Sequence, residues 1–195
     1  MPRTPRAISG TGIYLVMMRG INHQDIFRDD EDYRHFLYSM QRAQMRICQI
    51  NHQITTNCTY YAYCLMTNHV HLLIKEDKLL IGNIVKKLAD SYVYYYNHKY
   101  QRDGHLFKER FRSEPVDDMS YFTMLLRYIH RNPVEAQLIK NVIDYPYSSW
   151  REYCGMIRSD MMICNTKAVL RRIAFPDLEE MINAPLPDGL HCIDI

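Results

Sequence analysis

The sequence predicts an α+β domain, an antiparallel sheet with helices on one face and a small C-terminal extension. Three features predict it. Runs rich in β-branched and aromatic residues, the composition of half-buried strands, occur at 12–19, 54–65 and 69–75. Apolar stripes at helical spacing alternate with them, over about 29–50, 81–100 and 117–132. The chain of 195 residues has no internal repeat and no low-complexity linker, which suits one packed core with a minor appendage.

GIYLVMMR at 12–19 reads as a first strand, followed by a polar turn at Gly20 to Gln24. A helix then begins in Asp29, Asp30, Glu31 and Asp32, whose carboxylates suit the positive end of a helix dipole. Its stripe of Tyr33, Phe36, Leu37, Met40, Ile47 and Ile50, with Ala43 filling the gap, predicts one long amphipathic helix. ITTNCTYYAYCL is the second strand, and Thr67-Asn68 turns it into the third, HVHLLIK, as a hairpin. A second helix over about 81–100 carries Ile84, Leu88, Tyr92 and Tyr95 on one stripe and ends in the turn-like RDGH. HLFKERFRSE is a short basic extended segment. A third helix runs from Asp117-Asp118 through MSYFTMLLRYIHR until Pro133 disfavours helical geometry at Asn132. This element order suits a ferredoxin-like antiparallel sheet better than an alternating parallel fold. Beyond Trp150 only AVLRRIAF and LEEMI show short helical patterns, so residues 1–150 are expected to form the main domain and 151–195 a helical extension.

Composition excludes several classes. No apolar run approaches the roughly 18–20 residues of a membrane span, and MPRTPRAISG lacks the apolar stretch of a signal peptide, so a cytoplasmic protein without a membrane partner is expected. The six cysteines, Cys48, Cys58, Cys64, Cys154, Cys164 and Cys192, include no C-x-x-C pair, which points to reduced thiols. A net charge of +2 is too mild to imply nucleic-acid binding by itself, but the charge is unevenly spread. Lys99, Arg102, Lys108, Arg110 and Arg112 crowd the middle against Asp103 and Glu109. The tail from Pro176 has Asp177, Glu179, Glu180, Asp188 and Asp194 and no Lys or Arg. SYVYYYNHKY at 91–100 interleaves aromatics with bases, useful either for core packing or for stacking on nucleobases.

The stretch MTNHVHLLI holds the sharpest chemical signal. On a strand, His69 and His71 leave the same face, and two imidazoles on one rigid face supply two metal positions with little reorganisation. The plainer reading is a pair facing solvent from an edge strand or satisfying local carbonyls. A third donor is available in LLRYIHRNPV, where Tyr128 and Asn132 lie four apart and project from one helical face. Asn132 offers an amide oxygen to a hard cation. Tyr121, Leu125 and Tyr128 also read as a core stripe, and His130 is either a rival ligand or a surface residue. For the basic middle the plain alternative is a solvated surface, and for its tyrosines a helix face packed on the sheet.

Together, M-x-N-H-V-H-L-L, RYIHRNPV with YPYSSW behind it, RGINHQDIF and GHLFKERFRS resemble the single-tyrosine HUH transposases of insertion-sequence type, especially the REP-associated tyrosine transposases. The resemblance spans roughly residues 12–150 in the family's order. It implies the HUH endonuclease fold, with His69, His71 and Asn132 holding Mg²⁺ or Mn²⁺ and Tyr128 as nucleophile. The implied function is a metal-dependent single-strand DNA nickase and strand transferase. It forms a 5′-phosphotyrosine on hairpin or inverted-repeat DNA and works as a monomer or homodimer. Arg19 (in the R-G-x-N pattern), Lys99, Arg102, Lys108, Arg110 and Arg112 are then expected at DNA phosphates, with Tyr95, or Tyr94, Tyr96 and Phe107, on unpaired bases. Two other readings stay open: a catalytically idle hairpin-binding protein on the same scaffold, and a zinc protein unrelated to DNA. Nothing after Trp150 maps onto the family's pattern.

Overall fold

A computed structural model describes residues 6–47 and 54–186. Elements follow in the order β1 (Ile13–Arg19), α1 (Asp30–Gln44), β2 (Met45–Ile47), β3 (Ile54–Thr56), β4 (Cys58–Met66), β5 (His69–Glu76), α2 (Ile81–Lys99), β6 (Arg112–Pro115), α3 (Met119–Glu135), α4 (Trp150–Tyr153), α5 (Thr166–Leu170) and α6 (Phe175–Asn183). The main sheet has the order β4-β5-β1-β6 with every neighbouring pair antiparallel. β1 and β4 therefore run the same way with β5 inserted between them, which is the split βαβ arrangement of a ferredoxin-like fold. The expected α+β architecture is the observed one.

Alternation along the strands divides the core in two. Tyr14, Val16 and Met18 of β1 and Val70, Leu72 and Ile74 of β5 face α1 and α2, where Phe36, Met40, Leu88 and Tyr92 complete one apolar layer. Leu15 and Leu73, with Ala62 and Cys64 of β4, face α3, packing with Phe122, Leu125 and Ile129. Helices thus lie on both faces, not on the single face expected, with α1 and α2 on one and α3 with α6 on the other. β1 requires this, because it is apolar at both parities and a strand of that kind must be covered twice. Each fully buried large side chain, such as Phe36 or Leu15, contributes roughly 1.5–3 kcal/mol by leaving water.

Three boundaries differ from the sequence expectation. The first helix stops at Gln44 rather than running to Ile50, since Met45–Ile47 pairs as β2 with β3. Asn57 ends it: its backbone N–H donates to Gln44 O at 2.7 Å and its side-chain amide to Ala43 O at 3.0 Å, satisfying carbonyls that a longer helix would use. Asn57 also divides the expected second strand into β3 and β4. At the other extreme α3 passes through Pro133 to Glu135. Pro133 removes one backbone donor in the last turn, but it is buried one turn beyond Ile129, so packing of that face outweighs the lost bond. Cys48, Ile50, Asp188, Cys192 and Asp194 lie outside the described residues. The described Cys58, Cys64, Cys154 and Cys164 are free thiols.

The turn after β1 is tightly fixed. A Cβ on Gly20 would sit 2.3 Å from Gln24 O, so only glycine fits there. Asn22 and His23 follow with φ of 51° and 58°. Gly20 N donates to Asn68 O at 2.8 Å and Ile21 N to Leu106 O at 3.0 Å, tying this turn to the hairpin on one side and to the 105–111 loop on the other.

α1 and α2 are joined at their ends by Lys99. Its ammonium lies 2.7 Å from Asp29, 2.9 Å from Glu31 and 2.9 Å from Asp32. Asp32 is fully buried and also accepts the hydroxyls of Tyr95 at 3.0 Å and Tyr100 at 2.8 Å. Substituting Lys99→Met is expected to lower unfolding free energy by about 1–3 kcal/mol in urea titration, the scale of a charged hydrogen bond lost at a buried acceptor. Its bond to Lys99 holds Asp29 below the ordinary Asp value of 3.8. A depressed carboxyl stabilises above its unfolded value, so this contribution disappears, and the gap between the two proteins narrows, as pH falls below 3.8.

Candidate active site on the histidine strand

β5 is an interior strand, which removes the edge-strand reading of its histidines. Across the sheet His69 stands opposite Met66 and Arg19, and His71 opposite Cys64 and Met17, with Arg112 beyond Met17 on β6. Directly opposed residues share a face, so these two rows point toward α3. The imidazole centroids are 4.9 Å apart and perpendicular. His69 Nδ1 lies 2.7 Å from Asn68 Oδ1. His69 Nε2 faces a second amide oxygen, Asn132 Oδ1, at the longer distance of 3.4 Å, so the shorter contact assigns the proton to Nδ1 and leaves a lone pair on Nε2.

α3 supplies the rest. Asp118 caps it by accepting Tyr121 N at 2.8 Å, and its i, i+4 face brings Tyr128 and Asn132 over the histidines. His69 Nε2 and His71 Nε2 each lie 3.4 Å from an end of the Asn132 amide. The Tyr128 ring stands perpendicular to that of His71 with centroids 5.3 Å apart. His71 is 2% and Tyr128 5% exposed. Burial, aided by His69 and Arg19, pushes the His71 pKa well below its ordinary value and keeps its ring neutral, the form that binds metal. Its Nδ1 is buried without a hydrogen bond among the described residues. An under-satisfied neutral imidazole, a second imidazole lone pair and an amide oxygen fit the donor set of a divalent cation. No group of three or more His, Cys, Asp or Glu gathers among the described residues, so the set that suits zinc best does not form there.

His130 is neither a rival ligand nor a surface residue. It is fully buried on another side of α3, where burial pushes its pKa down to about 3. Its Nε2 lies 2.7 Å from Ser149 Oγ, which accepts Tyr63 N at 2.9 Å, while Ser149 N donates to Tyr63 O at 3.0 Å. Tyr63 precedes Cys64, the residue opposite His71. Arg131, also buried, donates to Ile182 O at 3.3 Å and Asn183 O at 2.9 Å, capping the end of α6. These bonds set the position of α3 over the sheet. Sequence reading missed Ser149, although YPYSSW was the signal for it.

The residues expected at DNA separate into two groups. Arg19 and Arg112 stand in the histidine rows, and Lys108 and Arg110 are exposed in the adjoining loop, where Lys108 N donates to Arg19 O at 2.8 Å. Tyr95 and Lys99 are not on that surface, because they belong to the network joining α1 and α2, where three carboxylates neutralise the lysine. Arg102 lies with its guanidinium 5.4 Å from the Tyr96 ring. Tyr96 and Phe107 are buried in the core and not placed for stacking on bases, whereas Tyr94 is 78% exposed.

Residues 31–132 match the family model described as "Transposase IS200 like". The chain belongs to this family. The matched span takes in both histidines and Tyr128 and ends on Asn132. Membership puts the protein among DNA transposases, and among the described residues no helix is long and apolar enough to cross a membrane. Among solved structures the fold is similar to that of a REP-associated tyrosine transposase bound to a REP hairpin, with a TM-score of 0.61 and 15% identity over 80% of this chain and 86% of that one. A search of curated proteins found no match.

Removing the Ser149 hydroxyl leaves His130 Nε2 and Tyr63 N without their partner. Ser149→Ala is therefore expected to lower stability by about 1–3 kcal/mol, read from the denaturant midpoint at unchanged m-value.

Proposed function

We propose that this family member is a metal-dependent single-strand DNA nickase and strand transferase whose nucleophile is Tyr128. The observation that carries the reading is the convergence of Tyr128 and Asn132, from α3, on the two histidines of β5 within one chain. His69, His71 and Asn132 would hold the ion. A divalent Mg²⁺ or Mn²⁺ there supplies Lewis-acid polarisation of a phosphate oxygen.

The chain's own residues do the remainder. The Tyr128 oxygen forms a bond to the phosphorus of a backbone phosphodiester while the bond from phosphorus to the 3′ oxygen breaks. The phenol gives up its proton and the departing 3′ oxygen gains one. The product is a 5′-phosphotyrosine and a free 3′-hydroxyl. One phosphodiester is exchanged for another, so a second 3′-hydroxyl reverses the step elsewhere without ATP. Arg19 and Arg112 stand in the histidine rows, where their charge would bear on the bound phosphate, Arg112 while paired with Glu109 at 2.8 Å. For substrate we propose a single strand bearing a hairpin, by likeness of fold to the hairpin-bound structure.

With Mg²⁺ or Mn²⁺ and an end-labelled hairpin-bearing single strand, a denaturation-resistant protein–DNA adduct is expected. Tyr128→Phe should abolish it, EDTA should suppress it, and His71→Ala should lower its rate by roughly 10²-fold, the scale of losing one electrostatic stabiliser. An adduct surviving in Tyr128→Phe refutes the assignment. The near-complete burial of Tyr128 favours one second reading, a catalytically idle hairpin binder on this scaffold. Tight hairpin binding with no adduct under either metal would select it.

A further inference from the structure

Asn68 is half-buried between the histidine strand and the turn that follows β1, and the geometry of its own hairpin turn does not require an asparagine. Asparagine is frequent in tight turns because it tolerates a left-handed backbone, yet Asn68 is not one of the described residues with positive φ. The bonds that hold the hairpin turn are made by main-chain oxygens. Asn68 O accepts Gly20 N at 2.8 Å, and Thr67 O accepts the N–H groups of Ile26 and Phe27 at 2.8 and 3.1 Å. Any side chain at 68 would leave them in place. What the asparagine adds is an amide held at both ends. Its Nδ2 makes a long bond of 3.4 Å to His23 O, and its Oδ1 lies 2.7 Å from His69 Nδ1.

The carbonyl of His23 decides which way that amide is turned. A carbonyl oxygen only accepts, so the end facing it is the NH₂, which leaves Oδ1 toward the imidazole. Oδ1 also only accepts, and it draws the proton of the neutral His69 ring to Nδ1. Turned over, the amide would offer its NH₂ to Nδ1 and send the proton to Nε2. Nε2 is the nitrogen that faces Asn132 Oδ1 at 3.4 Å. With the proton on Nδ1, those two atoms are acceptors facing each other, an opposition that a shared cation reconciles. His71 has no counterpart, since its Nδ1 is buried without a hydrogen bond among the described residues. We propose that Asn68 is a positioning residue for the divalent ion, acting through His69: it holds that ring in the one tautomer whose Nε2 can bind metal, and the 20–24 turn fixes the amide that does so. The proposal rests on the metal-dependent reading above and extends it to a residue outside the ligand set. It also gives the turn a purpose. His23 and Asn22 before it sit at φ of 58° and 51°, so the backbone takes an unusual path at the point where its carbonyl meets Asn68. A ring whose proton can occupy either nitrogen presents Nε2 for only part of the time, and affinity falls with that fraction.

The test reads tautomer and ion affinity directly, on the full chain and without DNA. In metal-free protein at a pH where the ring is neutral, the ¹⁵N shifts of His69, identified by their loss in His69→Gln, are expected to show a protonated Nδ1 and a bare Nε2. Asn68→Ala should move the proton toward Nε2 and weaken Mn²⁺ binding, followed by calorimetry, roughly 10- to 100-fold. Asn68→Asp keeps an acceptor for Nδ1 while losing the donor to His23 O. It should retain the Nδ1–H form and bind Mn²⁺ no more weakly than wild type. A role confined to bracing the hairpin would weaken both variants alike. A wild-type ring protonated at Nε2, an unchanged tautomer or affinity in Asn68→Ala, or equal losses in the two variants overturns the proposal alone. Failure of wild type to bind Mn²⁺ overturns the metal-dependent reading and the proposal with it, while Tyr128→Phe, assayed in parallel for the adduct, reports on the nucleophile only.

Discussion

The pairing of β5 between β1 and β4 is the constraint on which the rest of the molecule depends. Side chains on a strand alternate, so a slip of one residue in that pairing would send His69 and His71 to the face of α1 and α2 and put Val70 and Leu72 under α3. Burial of both faces prevents the slip. Val70, Leu72 and Ile74 are fully buried on one side and Leu73 on the other, so any shift exposes apolar surface or buries charge. The histidines sit at the start of a strand whose middle, Val70 and Leu72 to Ile74, is specified by its hydrophobicity, and their aim follows from their neighbours' packing.

α3 reads a second, independent set of bonds into the same arrangement. One face packs on the sheet through Leu125 and Ile129, another presents Tyr128 and Asn132, and flanking positions hold His130 to Ser149 and Arg131 to the end of α6. The segment after Trp150 is therefore part of what supports this helix. Glu152 connects it further, accepting the Tyr63 hydroxyl at 3.0 Å and the backbone N–H groups of Ile163 and Cys164 at 3.1 and 2.8 Å. A buried carboxylate with three donors is satisfied, and it ties β4 to the chain that covers the sheet edge.

Local pattern made β1, the β4–β5 hairpin, α2 and the start of α3 legible in the sequence: β1 by its apolar run, the hairpin by its β-branched and aromatic runs around Thr67-Asn68, α2 by its helical apolar stripe and α3 by Asp117-Asp118. The end of α1 was not legible, since Asn57, well beyond it in the chain, supplies its cap. Nor was the fate of Lys99: a lysine among aromatics reads as a nucleic-acid contact until the acids of α1 are seen beside it. The grouping of His69, His71, Tyr128 and Asn132 was suggested by spacing and by motif order, but the spacing of residues within each segment carries no distance between the segments. His130 shows the limit well, as only the tertiary contact with Ser149 distinguishes a buried helix anchor from a ligand.

Gly20 lies between the hairpin turn and the 105–111 loop, with no room for a side chain and with main-chain bonds to the turn on one flank and to the neighbouring bridge at Phe107 on the other. The spacing between the hairpin turn and the 105–111 loop is thereby held by main-chain contacts. Any larger residue at this point would have to displace Gln24 O, and with it the joint between β1, the hairpin turn and the 105–111 loop.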